Sequence, residues 1–160
     1  MGLQENGTRL SSYYGGSALV AELPPVKGSS TSALTVLVTD DEAIVRTVLT
    51  SMLERLGCTV ILTCSAPEAI RAYESHYTSI DLVLFDLMLP GMTGDRLYEQ
   101  LRMINPACRA VLITGNSESE LLPDLIASGV SGVLPKPFDV HELQAELSRV
   151  FAQDWQAHAA

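Results

Sequence analysis

Residues 80–91 read IDLVLFDLMLPG, an apolar run that ends at Asp86 and is followed by a loop containing a proline and a glycine. A short apolar run bounded by turn-forming residues predicts a buried strand. Asp86 would then lie where this strand meets solvent. This placement of a carboxylate is the most informative feature of the chain.

Four further strands are predicted around this stretch, and helix-like segments separate all five. Such alternation predicts an α/β fold with a parallel sheet covered by helices on both faces. The predicted strands are residues 34–39, 59–64, 82–86, 110–114 and 132–134. Polar side chains stand at or just after the ends of four of these strands, namely Asp40, Asp41, Asp86, Thr114 and Lys136. Ligands bind beyond the carboxyl ends of the strands in such sheets, so these side chains define a candidate site.

The first two predicted helices carry apolar residues at the spacing expected of helices packed on a sheet. The first helix ends at Gly57, as glycine commonly does at a helix C-terminus. Its apolar positions, all expected to face the sheet, are Ile44, Val48, Leu49, Met52 and Leu56. A capping box formed by Ser65 and Glu68 opens the second helix.

The third and fifth helices are predicted at residues 94–104 and 139–151. The fourth contains Pro123, which cannot donate to the helical ladder and clashes with the carbonyl four residues earlier. We therefore expect this helix to begin near Pro123 and to end before Gly129, with residues 117–122 as a loop.

Composition excludes several classes of protein. At 160 residues and 47% hydrophobic content the chain has room for one domain with a sizeable core. No apolar stretch reaches the roughly 18 residues of a membrane span, so we expect no membrane contact. Ten basic against nineteen acidic residues give a net charge of -9, which repels nucleic acid, and direct DNA binding is not expected.

Residues 1–33 are rich in Ser, Gly and Pro and predict a flexible N-terminal tail or linker, followed by the domain at 34–152 and a C-terminal tail at 153–160. No signal-peptide pattern is seen, which predicts a cytoplasmic location. The spacing of Cys58, Cys64 and Cys108 favours neither a disulfide framework nor a zinc site, and we expect reduced core thiols.

Each residue type at the candidate site has a use in phosphoryl chemistry. Clustered carboxylates repel one another and need a hard cation, which oxygen ligands hold as octahedral Mg²⁺. A metal beside Asp86 would neutralise an approaching phosphoryl group, so that the carboxylate could attack phosphorus and form an acyl phosphate. Lys136 and Thr114 would bind two further phosphoryl oxygens.

Over residues 33–151 the chain resembles the receiver domain of bacterial two-component response regulators. The resemblance rests on four motifs in the order of that family, which are Asp40-Asp41-Glu42, the segment from Asp86 to Gly94, Thr114-Gly115 and Lys136-Pro137-Phe138. It implies a flavodoxin-like (βα)5 doubly wound sheet with strand order 2-1-3-4-5. It also implies a cis peptide between Lys136 and Pro137.

The resemblance further implies a role for each site residue. Asp86 would be the phosphoacceptor, and Lys136 and Thr114 would contact the phosphoryl group. Asp41, Asp86 and the backbone carbonyl of Met88 would bind Mg²⁺ directly, and Asp40 would help to bind it directly or through water. Sensor histidine kinases or histidine phosphotransfer proteins would be the partners that supply the phosphoryl group.

This sequence departs from the family pattern at Val133, where the family usually has Tyr or Phe three residues before the lysine. In that family the aromatic side chain moves inward on phosphorylation, so the way in which the signal reaches the surface of this chain stays open. Met88 and Asn116 flank the path of the water that attacks the acyl phosphate in the family. Because Met88 is apolar, we expect it to slow that water and prolong the phosphorylated state.

Two enzyme-like alternatives share the fold. A metal-dependent phosphatase with an aspartyl nucleophile would need an acid two residues after Asp86, where Met88 stands. A flavin or nucleotide carrier would need a glycine-rich phosphate loop after the first strand, where Asp40 and Asp41 would repel phosphate. In isolation, each residue of the candidate site is better explained by a common structural role, as a helix cap, a turn residue, a strand-end hydroxyl or a solvated surface charge. Their joint occurrence favours a signalling domain that catalyses only its own phosphorylation and slow dephosphorylation.

Three molecular contexts remain open for such a domain. It could be a free single-domain regulator, the receiver of a hybrid sensor histidine kinase, or the front part of a regulator with an output domain. The segment at 1–33 favours the hybrid kinase, because that architecture places a linker before a C-terminal receiver.

Overall fold

The computed structural model describes residues 33–115 and 118–158, with side chains up to residue 152. Its strands are β1 (Thr35–Thr39), β2 (Thr59–Thr63), β3 (Leu82–Asp86), β4 (Met88–Leu89), β5 (Met92–Thr93), β6 (Ala110–Thr114) and β7 (Gly132–Pro135). Its helices are α1 (Ala43–Arg55), α2 (Ala66–His76), α3 (Gly94–Ile104), α4 (Leu121–Ala127) and α5 (Val140–His158). The short strands β4 and β5, which the sequence did not predict, pair as an antiparallel hairpin.

Five parallel strands form one sheet in the order β2-β1-β3-β6-β7. Counting only the five predicted strands, this is the order 2-1-3-4-5, so the flavodoxin-like α/β fold is confirmed. The central strand β3 is buried along its whole length. A strand covered on both faces reads as a continuous apolar run, which explains the stretch before Asp86.

Helices cover both faces of the sheet and enclose two apolar cores. On one face α2, α3 and α4 contribute buried residues such as Tyr73, Leu97 and Leu125. On the other face α1 and α5 contribute residues such as Leu53 and Leu147. The side chains of the three central strands β1, β3 and β6 are therefore almost all buried under helices, whereas the edge strand β2 keeps exposed positions such as Leu62.

The apolar face of α1 differs from the predicted one. Ile44 is 78% exposed and Val48 is 45% exposed, whereas Leu49 and Leu53 are buried against the sheet. The helix carries two adjacent apolar stripes, and periodicity alone could not decide which of them faces the sheet. The prediction that Ile44 and Val48 pack inward was wrong, and both lie on the surface.

The last two helices also extend further than predicted. Helix α4 begins at Leu121, two residues before Pro123, so the prediction of a loop through residue 122 was wrong at its end. A proline at the third helical position is tolerated because the first N–H groups of a helix have no partner within it. Helix α5 continues past residue 151 to His158, through helix-forming residues without glycine or proline.

None of the helices in the described part of the chain is long and apolar enough to cross a membrane. Among the cysteines, Cys58 and Cys108 are buried as expected, whereas Cys64 is exposed, which corrects its placement in the core. All three are free thiols.

Candidate functional site

The parallel register brings the ends of β1, β3, β6 and β7 to one edge of the sheet. Thr39 pairs with Phe85, Asp86 with Ile113 and Thr114 with Pro135. The polar residues predicted from these strand ends therefore converge. Asp40, Asp86 and Thr114 are all buried there.

Lys136 is bound to both buried carboxylates of the site. Its Nζ donates to Asp86 Oδ2 at 2.7 Å and to Asp40 Oδ2 at 3.3 Å. Its backbone N–H donates to the carbonyl of Thr114 at 2.7 Å. The Lys136–Pro137 peptide is cis, as expected. One ammonium group thus serves two carboxylates that lie 50 and 96 residues away in the sequence.

Backbone N–H groups hold the second oxygen of each carboxylate. Asp86 Oδ1 accepts from the N–H of Met88 at 2.8 Å, and Asp40 Oδ1 accepts from the N–H of Glu42 at 2.8 Å. Both are bonds from a carboxylate to the N–H two residues later, a common turn geometry for Asp. The orientation of both carboxylates is therefore fixed by the chain itself.

The buried part of the site holds more negative than positive charge, since two carboxylates share one ammonium group. Burial raises the pKa of Asp40 above its ordinary value, although the Glu42 N–H and the charge of Lys136 oppose that change. Burial would lower the pKa of Lys136, but the hydrogen bond and charge of Asp86, with the charge of Asp40, raise it. One positive charge shared by two buried carboxylates leaves a net negative charge, which favours a further cation.

Asp41 does not join this cluster directly. Its side chain is exposed at the rim of the site. Within residues 33–115 and 118–158, no three acidic, histidine or cysteine side chains are already gathered as metal ligands. The structure therefore brings together Asp40, Asp86, Thr114 and Lys136, with Asp41 beside them. The side chain of Met88 is 61% exposed at the mouth of the site, and Asn116 lies outside the described residues.

Gly94 packs directly on the backbone of the candidate acceptor. A Cβ atom at this position would lie 2.9 Å from the carbonyl oxygen of Asp86 and 2.9 Å from Leu87 Cα. Both distances are shorter than real Cβ contacts allow. The motif that carried the family resemblance thus ends in a residue whose lack of a side chain permits α3 to begin beside Asp86.

Val133 stands at the position where the family usually has an aromatic residue. Val133 is partly buried and packs against the core under α2, α3 and α4. Tyr98 of α3 instead stacks on Phe85 with ring centroids 6.2 Å apart and planes 7° apart. Its hydroxyl donates to the carbonyl of Gly129 at 2.9 Å, which links the residue before Asp86 to the end of α4.

Two residues near the site were missed from the sequence, Tyr98 and Arg46. Arg46 of α1 donates to the carbonyl oxygens of Asp40 and Asp41. A basic residue close to a helix N-terminus is unfavourable, because the positive end of the helix dipole lies there. That local conflict was the available signal for Arg46.

Comparison with known proteins places this site in context. A family model described as the response regulator receiver domain matches residues 36–148. The chain is 34% identical over 138 residues to the sensor histidine kinase AruS of Pseudomonas aeruginosa, which covers 84% of this chain and 13% of that protein. It is 33% identical over 109 residues to the sensor kinase CckA of Brucella abortus, covering 68% and 12%. The chain thus spans a small part of either kinase.

Solved structures of receiver-type proteins are also similar to this chain. A chain of the CheX-CheY-BeF3-Mg complex from Borrelia burgdorferi has a TM-score of 0.71 and 26% identity, covering 75% of this chain and 90% of that chain. The receiver domain of sensor histidine kinase PA1611 from Pseudomonas aeruginosa, with magnesium coordinated in its active site cleft, has a TM-score of 0.69 and 26% identity. The match covers 76% of this chain and 99% of that one.

Proposed function

Because this chain belongs to the response regulator receiver domain family and is a phosphoacceptor receiver of two-component signalling, we propose that Asp86 is its phosphoacceptor. The observation that carries this assignment is the Lys136 ammonium bound to Asp86 at the edge of the sheet. Of the carboxylates at this edge, Asp86 is the one that follows the fully buried central strand. It also lies beside the ends of β6 and β7, since it pairs with Ile113 of β6 and accepts a hydrogen bond from Lys136, which follows β7.

The transfer would proceed by displacement at phosphorus. An oxygen of Asp86 forms a bond to phosphorus while the bond from phosphorus to the donor histidine nitrogen breaks, and the imidazole leaves with the electron pair. Lys136 Nζ, already 2.7 Å from Asp86 Oδ2, is placed to follow the charge onto the phosphoryl oxygens. The Thr114 hydroxyl would bind another of these oxygens. The receiver thus catalyses its own phosphorylation.

The residues at this edge fit a divalent cation. Asp40 and Asp86 are carboxylates that share one ammonium group, and burial leaves the Asp40 charge poorly solvated. Oxygen ligands of this kind suit Mg²⁺, and Asp40, Asp41, Asp86 and the Met88 carbonyl would hold it. When bound, Mg²⁺ would supply charge neutralisation for the incoming phosphoryl group.

We propose phosphohistidine on a sensor kinase or a phosphotransfer protein as the donor. Sensor kinases are among the relatives, which supports partners of this type. Within the chain, residues 34–152 would form the receiver unit, residues 1–33 a flexible tail or linker and residues 153–160 a C-terminal tail. These boundaries follow from composition and stay a prediction.

The test is phosphorylation by a small donor. With acetyl phosphate and Mg²⁺ the unaltered chain should gain one acid-labile, base-labile phosphoryl group, measured as the added mass of the intact protein. Asp86→Asn should gain none, because an amide oxygen is too weak a nucleophile. Asp124→Asn, which removes an exposed carboxylate of α4, is the matched control and should behave as the unaltered chain.

Chelation of Mg²⁺ with EDTA should also stop the incorporation in the unaltered chain. Phosphate found on Asp86→Asn at the normal rate would contradict the assignment of the acceptor. Incorporation that continues in EDTA would contradict the metal site while leaving the acceptor in place.

A further inference from the structure

Arg46 makes an unusual set of contacts with the loop after β1. Its Nη1 donates to the carbonyl oxygen of Asp40 at 2.7 Å and to that of Asp41 at 3.0 Å. Its backbone N–H donates to the carbonyl oxygen of Glu42 at 3.1 Å. The bond to Glu42 is the ordinary first bond of α1, so the contacts that depend on the Arg46 side chain are those to the carbonyl groups of Asp40 and Asp41.

Other contacts hold the same loop from its remaining sides. The N–H of Asp40 donates to the carbonyl of Thr63 at 3.3 Å, which extends the pairing of β1 and β2 by one residue. The N–H of Glu42 donates to Asp40 Oδ1. With these bonds and those of Arg46 in place, the backbone of the loop is fixed, and the exposed Asp41 retains only rotation about its side-chain bonds.

The geometry of these contacts distinguishes Arg46 from Lys136. Lys136 binds carboxylate oxygens, which are the atoms a cation would need. Arg46 binds carbonyl oxygens and leaves the carboxylates of Asp40 and Asp41 available. Both bonds leave the same nitrogen of Arg46, whose two N–H groups are held in the plane of the guanidinium, whereas the N–H groups of a lysine ammonium rotate freely.

We propose that Arg46 is a positioning residue of the phosphoryl site, which fixes the peptide planes carrying Asp40 and Asp41 and so prepares their carboxylates for the divalent cation. This role rests on the proposed function of Asp86. Preparing a site before the ligand arrives lowers the ordering cost of binding. Arg46 therefore acts on the affinity for Mg²⁺ through the backbone and touches neither metal nor phosphate.

The experiment measures Mg²⁺ dependence in two ways. Thermal unfolding is followed over a series of MgCl₂ concentrations, since a cation that binds the folded chain raises its melting temperature. The initial rate of phosphorylation by acetyl phosphate is followed over the same series. Arg46→Lys keeps the charge and loses the planar donor group, and Arg46→Met loses both. Arg55→Lys and Arg55→Met, at an exposed position of the same helix, are the matched controls.

The half-saturating Mg²⁺ concentration should rise roughly three- to tenfold in both Arg46 variants, as expected when a preorganised site is loosened. The rate at saturating Mg²⁺ should stay near that of the unaltered chain, and the Arg55 variants should not differ from it in either measure. A higher half-saturating Mg²⁺ concentration with an unchanged rate at saturation separates a positioning role from a general loss of structure.

Three results would overturn the role of Arg46. One is a half-saturating Mg²⁺ concentration that is unchanged in Arg46→Lys. Another is tighter Mg²⁺ binding by Arg46→Met, which would mean that Arg46 acts only by repelling the cation. The third is a melting temperature lowered equally at all Mg²⁺ concentrations. An unaltered chain whose melting temperature ignores Mg²⁺ would overturn the metal site itself, together with this role of Arg46.

Discussion

Asp40 is 1% exposed and shares its cation with Asp86, so its negative charge is held in a poorly solvated position. Burying a charge is costly unless it is fully paired. The residues that the site needs for its chemistry are thus among those that destabilise the fold when no metal is present. Placing a carboxylate at the end of a strand was predictable from the sequence, but this conflict appears only when burial is known.

Replacing Asp40 by Asn should stabilise the metal-free chain. The folded pKa of Asp40 is raised above 3.8, chiefly by burial, so the ionised form costs stability at every pH above that folded pKa. In EDTA at neutral pH, Asp40→Asn should unfold with a free energy about 1 kcal/mol higher, a typical single-residue effect. The difference should shrink as pH falls through the Asp40 pKa, because the unaltered side chain then becomes neutral as well.

Thermal unfolding in EDTA between about pH 3 and pH 8 measures this difference, a range that brackets the ordinary carboxyl pKa and neutrality. Asp124→Asn serves as the control for an exposed carboxylate. A less stable Asp40→Asn at neutral pH would mean that the bond from Lys136 outweighs the cost of burial.

Helix α1 carries both an inward stripe and an exposed apolar stripe. The exposed pair, Ile44 and Val48, begins two residues after Glu42 and therefore lies beside the loop of Asp40 and Asp41. Large exposed apolar side chains near a reacting group suit the contact with a donor protein. Acetyl phosphate is too small to need such a contact.

Ile44→Ser should therefore separate the two kinds of donor. Phosphotransfer from the phosphorylated kinase that profiling identifies as the donor should slow about tenfold, the size of a modest interface contribution. Phosphorylation by acetyl phosphate should be unchanged. Ile126→Ser, at an isoleucine of α4 that is 55% exposed, is the matched control and should leave both rates unchanged. Equal slowing with both donors would show instead that Ile44 supports the site itself.

The limits of prediction at this scale have physical causes. The strand ends, the cap of α2 and the bounds of α3 follow from local spacing. The structure agrees with them, except that the Glu68 carboxylate accepts from the N–H of Cys64 instead of completing the capping box at Ser65. The face of α1 could not be derived, because Ile44 and Val48 lie next to the inward residues Leu49 and Leu53 on the helix surface. Spacing alone marks one broad apolar face and does not show where its buried part ends. Arg46 and Tyr98 were missed because both act through backbone carbonyls, which no side-chain motif records.

For the whole molecule, the sheet order is what assembles the site. Residues from four strands meet because β1, β3, β6 and β7 are consecutive neighbours in the sheet. The strand order was predicted from the family resemblance. The alternation of strands and helices by itself predicted only that the sheet is parallel. The charge of the chain adds a second property at this scale, since a net charge of -9 surrounds a site that is itself acidic.

This charge leads us to expect no direct binding of DNA. Non-specific binders hold DNA with dissociation constants of roughly 10⁻⁴ to 10⁻⁶ M through basic residues, which are outnumbered here. Fluorescence anisotropy of a labelled duplex should stay constant up to about 100 µM of the chain in low salt, the weak end of that range. A rise in anisotropy that disappears on adding salt would contradict the prediction.

The span between Lys136 and its two carboxylates also has a consequence for synthesis on the ribosome. Asp40 and Asp86 leave the ribosome before Lys136, because the chain emerges from its N-terminus. Until β7 joins the sheet, both carboxylates lack the ammonium group that they share in the finished protein. If the site acts as proposed, we expect a nascent or truncated receiver to be a poor substrate for its donor, so that phosphorylation would be reserved for chains that have completed the fold.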